Sequence, residues 1–304
     1  MSNALNVTTV GAPRTNDRSK FYLHVSDVLE NTGPRAFCPR YWVLAYHSSR
    51  VRGDSKISPA RELLFATGHF FGDYVVDKVL KRSPFAGAVY GNWSCSKWRP
   101  NQAETWGGNR GEVHIPVEDI RDNVIGKKCV CGRPLSKHNE VDLVLPSLNL
   151  TGHPDILFLI GDTYNIREEK SWDRKDTPFD DLVVPDPKHT LQVSFYYKML
   201  MAKAKAEGRN VSRKLVIDYA DRSNSKLFGG LPFKSLATKP VADEFINPIR
   251  NQLLHVKEGF KTRRLPDRIC PDIKSTRARN CELAVECFAR RKSIVVQPKV
   301  HNRS

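Results

Sequence analysis

Residues 152–172 read GHPDILFLIGDTYNIREEKSW, and they constrain this chain more than any other stretch. Two apolar, β-rich runs flank Gly161-Asp162, the pattern of two strands joined by a tight turn. Into that pattern the chain places Asp155, Glu168, Glu169 and Lys170. Charges beside strand sequence are costly to bury unless paired or used. Glu168 and Lys170 are i and i+2 on one strand, so they share a face, and Glu169 points the other way. Two carboxylates can hold a hard divalent cation such as Mg²⁺ or Mn²⁺ through oxygen. Such an ion lowers the pKa of a bound water and neutralises phosphate charge. A neighbouring lysine can orient that water or stabilise developing charge.

The surrounding sequence predicts more strands and helices. Val141–Leu150, Ile156–Ile160 and TYNIREEKSW read as a three-stranded meander. HTLQVSFYYKMLMAKAKAE, from His189 to Glu207, reads as a helix closed by Gly208. SRKLVIDYADRS reads as a strand at or near a sheet edge, and 229–240 as a loop with Gly and Pro. VADEFINPIRNQLLHVKEGF reads as a helix despite Pro248, ending near Gly259. Upstream, Ser58–Arg82 reads as one amphipathic helix, with Ser58 as cap and Pro59 at the first helical position. The order helix, strands, helix, strand predicts an α/β fold with a mixed sheet flanked by helices.

At these residues the chain resembles the PD-(D/E)xK nucleases. Pro154-Asp155 followed by Glu168-x-Lys170 matches their signature. Gln192 and Tyr196 match the Q-x-x-x-Y motif of the RecB-like branch, one helical turn apart on one face. The resemblance implies a restriction-endonuclease-like core. Asp155 and Glu168 would hold Mg²⁺ or Mn²⁺ with the Glu169 backbone carbonyl. Lys170 would position the attacking water, and Gln192 and Tyr196 would steady Lys170 and the substrate. The family usually adds a helical histidine as G-x-x-x-H. Here the residue four after Gly68 is Gly72, which leaves His69, Asp73 or Glu62 as the third ligand.

The chain has seven cysteines, an odd number for a disulfide scaffold. Cys38 in CPRYWVLAY, with Cys270, Cys281 and Cys287 near the C-terminus, resembles the iron–sulfur subset of that branch. This subset includes the CRISPR-associated exonucleases and the AddB nuclease domain. The family's middle pair is usually C-x2-C, whereas ten residues separate Cys270 and Cys281 here. The resemblance implies a 4Fe–4S cluster that clamps the two ends of the core. Four thiolates also suit zinc, and four buried apolar cysteines are the plainer alternative. Cys95, Cys129 and Cys131 form a second group. His138 or His114 would complete a Cys3His zinc site, and unliganded thiols in a loop are the other reading.

These readings divide the chain into a flexible arm over 1–20, a nuclease core over 21–83 and 141–260, a cysteine-containing insert over 84–140 with zinc as its candidate ion, and a C-terminal cysteine cluster with a basic tail over 261–304. The formal net charge of +16 points to a polyanionic partner, most often nucleic acid. Trp93, Trp98 and Trp106 lie among basic residues of the insert. That mixture suits single-stranded DNA, and it equally suits the packing of a small subdomain. No apolar run reaches the ~18 residues of a bilayer span, and the N-terminus lacks a secretory apolar region. The expected compartment is therefore the cytoplasm of a prokaryote or phage-infected host.

The resemblance implies a metal-dependent deoxyribonuclease acting on single-stranded DNA ends, an exonuclease before an endonuclease. It would serve replication, recombination or repair beside proteins of those pathways, and the compact, basic chain would suit a phage. A non-catalytic DNA-binding adaptor with a nuclease fold, in a replication or CRISPR-adaptation complex, is the alternative. An RNA-directed nuclease is a third reading.

Overall fold

The computed structural model describes residues 22–29, 37–47, 84–97, 116–172, 177–221 and 233–289. The expected arm over 1–20, the Ser58–Arg82 helix with Glu62, His69 and Asp73, Trp98, Trp106, His114 and the basic tail all lie outside the described residues. In chain order the strands are β1 Leu23–His24, β2 Val89–Ser94, β3 Val117–Ile120, β4 Lys137–Asn139, β5 Leu143–Leu145, β6 Leu150–Gly152, β7 Ile156–Ile160, β8 Thr163–Trp172, β9 Asn210–Val211, β10 Leu215–Asp221 and β11 Phe233–Thr238. The chain forms two compact units, one holding 57–145 and 151–242, the other holding 17–56, 146–150 and 243–304.

The first unit is built on a mixed eight-stranded sheet in the order β11-β10-β8-β7-β2-β3, with β4 on β2 and β9 on β8. β7 and β8 form an antiparallel hairpin in which Ile160 faces Thr163 across Gly161 (φ 56°) and Asp162. Glycine tolerates that left-handed turn without a steric penalty. The helix Pro187–Glu207 connects β8 to β10, which returns parallel to β8. A helical crossover is what a parallel neighbour requires. The Asp186 carboxylate accepts the Lys188 N–H at 2.7 Å, Pro187 opens the first turn, and Gly208 ends the helix in the left-handed region. Each end therefore carries a residue whose chemistry satisfies backbone groups the helix leaves open.

SRKLVIDYADRS forms β10, near the sheet edge as expected, between β8 and the edge strand β11. Other elements depart from expectation. The 229–240 loop contains β11, whose alternating exposure marks an edge strand. Val141–Leu150 is not one strand; it breaks at Pro146 and at Asn149, which takes a positive φ of 49°. Within the expected 84–140 insert the described strand β2 joins the main sheet, where Tyr90 pairs with Leu157 of β7 and Val89 with Phe158. Val89, Trp93, Val124, Leu135, Ile156 and Phe158 then share one apolar cluster.

In the second unit the helix Pro39–His47 packs on the helix Asp243–Thr262. Tyr46 stacks on Phe260 with ring centroids 4.3 Å apart. Gly259 allows this approach, because a Cβ there would lie 2.5 Å from a Val43 methyl and 2.8 Å from the Arg264 carbonyl oxygen. Among the described residues no helix is long and apolar enough to cross a membrane.

Candidate functional site

The hairpin and the crossover helix bring Asp155, Glu168, Lys170, Gln192 and Tyr196 into one hydrogen-bonded group. Asp155 precedes β7, and Glu168 stands on β8. The Asp155 N–H donates to Glu168 Oε2 at 3.3 Å, and the Glu169 N–H donates to Asp155 Oδ2 at 2.7 Å. Each carboxylate is thus held by the other strand's backbone. Lys170 Nζ donates to Glu168 Oε1 at 2.6 Å. Gln192 Nε2 donates to the same oxygen at 3.0 Å and contacts Tyr196 Oη at 2.8 Å. The i, i+4 spacing of Gln192 and Tyr196 permits that contact, and their helix lays it against Glu168.

Glu168 is 1 % exposed. Burial first, and then the Asp155 carboxylate, push its carboxyl up to about 8, against the opposing pull of Lys170. Burial draws the Lys170 ammonium toward neutrality, but Glu168 and Asp155 outweigh it, and its net shift is upward. The Tyr196 phenol is raised by burial and then by Glu168. Lys170 is thus held against Glu168 as a hydrogen-bond donor.

Motif spacing did not mark three neighbours. Glu140 is exposed, and desolvation first and then Asp155, Glu168 and Asp142 raise its carboxyl. Its signal in the sequence was only an acid ahead of an apolar run. His153 Nε2 lies 2.6 Å from Asp142 Oδ1, which ties the residue two before Asp155 to the same segment. Tyr219 stands in register with Lys170 on the parallel strand β10. Its hydroxyl meets His189 Nδ1 at 3.0 Å, one helical turn before Gln192.

Asp155, Glu168 and Glu140 offer hard oxygen atoms of the kind a divalent cation takes, although among the described residues only the three thiols Cys95, Cys129 and Cys131 lie within the mutual spacing of one ion. The Glu169 side chain takes the other direction. Both its carboxylate oxygens are buried without a hydrogen-bond partner among the described residues.

The cysteines form two groups. In the second unit Cys38, Cys270, Cys281 and Cys287 line one pocket. Arg40, 2 % exposed, donates from Nε to Cys287 Sγ at 3.2 Å and from Nη1 to the Pro266 carbonyl at 2.8 Å. The Tyr41 N–H reaches Cys38 Sγ at 3.4 Å. Burial pushes the Cys38 thiol up to about 11. Ten residues of separation do not keep Cys270 away from Cys281. In the first unit Cys95, Cys129 and Cys131 bring their sulfurs within 4.8 Å of one another, close enough to share one metal ion. His138 does not join them. The register of β4 on β2 sets it opposite Trp93, and its Nε2 lies 3.5 Å from the Tyr90 carbonyl oxygen.

No family model matches the chain, and no curated protein matches it. A solved structure titled "Crystal structure of SSO0001" aligns over 77 % of this chain and 76 % of its own, at 13 % identity and a TM-score of 0.33. A likeness that loose carries no argument about fold or function.

Proposed function

We propose that the first unit is a PD-(D/E)xK-type nuclease core that hydrolyses phosphodiester bonds of DNA with Mg²⁺ or Mn²⁺. One observation carries this reading: three separate sequence motifs meet on Glu168, which contacts the Asp155 backbone, Lys170 and Gln192 at once. Asp155, Glu168 and the Glu169 carbonyl would hold the ion, with Glu140 beside them. When bound, the ion supplies charge neutralisation and an acidified water. Lys170, anchored by Glu168, presents a hydrogen-bond donor to the attacking oxygen or to a phosphate oxygen. Gln192 fixes the Glu168 oxygen that Lys170 also uses, so neither group can swing away alone. The formal charge of +16 supports a nucleic-acid substrate. Single-stranded ends are its proposed form, and replication, recombination or repair its setting, in the cytoplasm of a prokaryote or phage-infected host.

The Cys38, Cys270, Cys281 and Cys287 cavity is proposed to hold a 4Fe–4S cluster. No three of these sulfurs lie within the 4.8 Å spacing that one ion needs. A cube that takes one thiolate at each iron spreads its ligands wider than a single ion does. The cluster would clamp the Pro39–His47 helix to the C-terminal segment, and Arg40 would donate to a cluster thiolate.

Release of nucleotides from labelled DNA by the wild-type protein, dependent on Mg²⁺ or Mn²⁺ and stopped by EDTA, tests the catalytic reading. DNA binding without release under either metal would refute it and leave the adaptor reading.

A further inference from the structure

The three-thiol group in the first unit takes no part in the chemistry above. Cys95 follows the end of β2 and is 1 % exposed. Cys129 and Cys131 sit on a tight hairpin over 127–135. There the Cys129 N–H donates to the Arg133 carbonyl at 2.9 Å, Gly132 N–H to Cys129 O at 2.8 Å, and Leu135 N–H to Lys127 O at 3.1 Å. Gly132 takes φ 76°, which turns the chain sharply after Cys131. The Cys131 N–H also donates to the Cys129 sulfur. The hairpin returns to β2 through Ser136 N–H and the Ser94 carbonyl at 3.1 Å. Arg133 adds a bond to the Ser96 hydroxyl at 3.0 Å.

Two elements, the end of β2 and the 127–135 hairpin, thus bring three sulfurs within 4.8 Å of one another. Cys131 and Cys95 Sγ are 3.9 Å apart, roughly twice the ~2.05 Å of a disulfide. Two thiolates bound tetrahedrally at ~2.3 Å from one Zn²⁺ would lie about 3.8 Å apart. The hairpin's apolar anchor is a cluster of six buried residues, with Cys129 packed at the edge, and Val130 at its tip is 72 % exposed. Small cores of this kind commonly need a staple. Sulfur donors select zinc over the hard ions suited to the acidic site. Lys97, Lys127, Lys128 and Arg133 flank the thiols in sequence and offset the single negative charge that three thiolates leave on Zn²⁺.

We propose that Cys95, Cys129 and Cys131 bind one Zn²⁺ as thiolates, fastening the 127–135 hairpin to the end of β2. Binding displaces three thiol protons to solvent. No fourth described residue joins the set, and His114, the other candidate ligand in the sequence, lies outside the described residues. The site is independent of whether the acidic cluster cleaves DNA.

The test is metal analysis of the full chain grown with zinc and dialysed against EDTA, beside Cys129→Ser, Cys131→Ser and Cys38→Ser. The expected result is one zinc per chain, absent from the first two variants and retained in the third. Because a serine variant can misfold, wild-type protein stripped of zinc is also titrated with Co²⁺. Saturation at one equivalent, with a sulfur-to-cobalt charge-transfer band and tetrahedral visible absorption, supports the site. Zinc below a tenth of an equivalent with no such band overturns the proposal. So does zinc that persists in Cys129→Ser and Cys131→Ser but is lost in Cys38→Ser.

Discussion

Glu169→Gln should flatten the pH dependence of stability in metal-free protein. The Glu169 carboxyl is 9 % exposed, and neither oxygen has a partner among the described residues. Burial first, then the Asp155 and Asp218 carboxylates, push its pKa up to about 9 from the usual 4.5. In the unfolded chain the group ionises near 4.5, while in the folded chain it keeps its proton until about 9. Between those values the folded state binds the extra proton, so stability falls as pH rises. One full proton corresponds to about 1.4 kcal/mol per pH unit, or ~6 kcal/mol across the interval as an upper limit. Water entry and local relaxation bring the expected loss to about 2–3 kcal/mol, or roughly 4–12 °C in Tm for a chain of this size. Glutamine removes that titration. Its buried amide costs about 1–3 kcal/mol at every pH, so the slope is the informative quantity and not the level. Tm by circular dichroism in EDTA, from pH 5.5 to 9, should fall less steeply in the variant, and the two curves should converge as pH rises. Parallel curves would show that the carboxylate is solvated or paired in the folded state, and would refute the reasoning.

Three further outcomes follow from contacts on the same sheet. Lys203 is nearly buried and bridges Glu118 at 2.6 Å and Glu207 at 2.8 Å; Lys203→Met should lower stability by about 1–3 kcal/mol in urea denaturation at pH 7. At Gly91 a Cβ would lie 2.3 Å from the His138 ring and 2.9 Å from the Asn139 carbonyl oxygen. Gly91→Ala should therefore loosen β4 from β2 and cost about 1–3 kcal/mol, read as a lower Tm. Gln192→Ala removes a bond to a buried carboxylate, worth about 1.5–3 kcal/mol; under the nuclease reading, single-turnover DNA cleavage should slow by roughly 10-fold or more.

The parts of the fold that were legible in the sequence are the local ones. The β7–β8 hairpin announces itself through two apolar runs and Gly161-Asp162, and the Pro187–Glu207 helix through its period and Gly208. Val89–Ser94 was not legible as a core strand, because Gly91, Asn92 and the scattered tryptophans look like loop chemistry. Its strand character comes from pairing with β7, more than sixty residues away in the chain. β11 was hidden for a related reason: Phe233–Thr238 alternates between exposed and half-buried positions and lacks a continuous apolar signal. In the site, Asp155, Glu168, Lys170, Gln192 and Tyr196 stood out by spacing. Glu140, Tyr219 and His189 enter through register and packing, which spacing does not encode. His138 was misassigned because nearness in sequence to Cys129 and Cys131 says nothing about which strand it pairs with.

Cleavage of end-labelled single-stranded and duplex DNA in Mn²⁺, by wild type beside Asp155→Ala and Lys170→Ala, tests the central claim most directly. Thermal melts run in parallel show that each variant is folded. The predicted result is a product ladder from the wild type that grows from one labelled end, with both variants losing at least two orders of magnitude in rate. A ladder unchanged in both folded variants, or no cleavage by wild type in any divalent metal, would contradict the account.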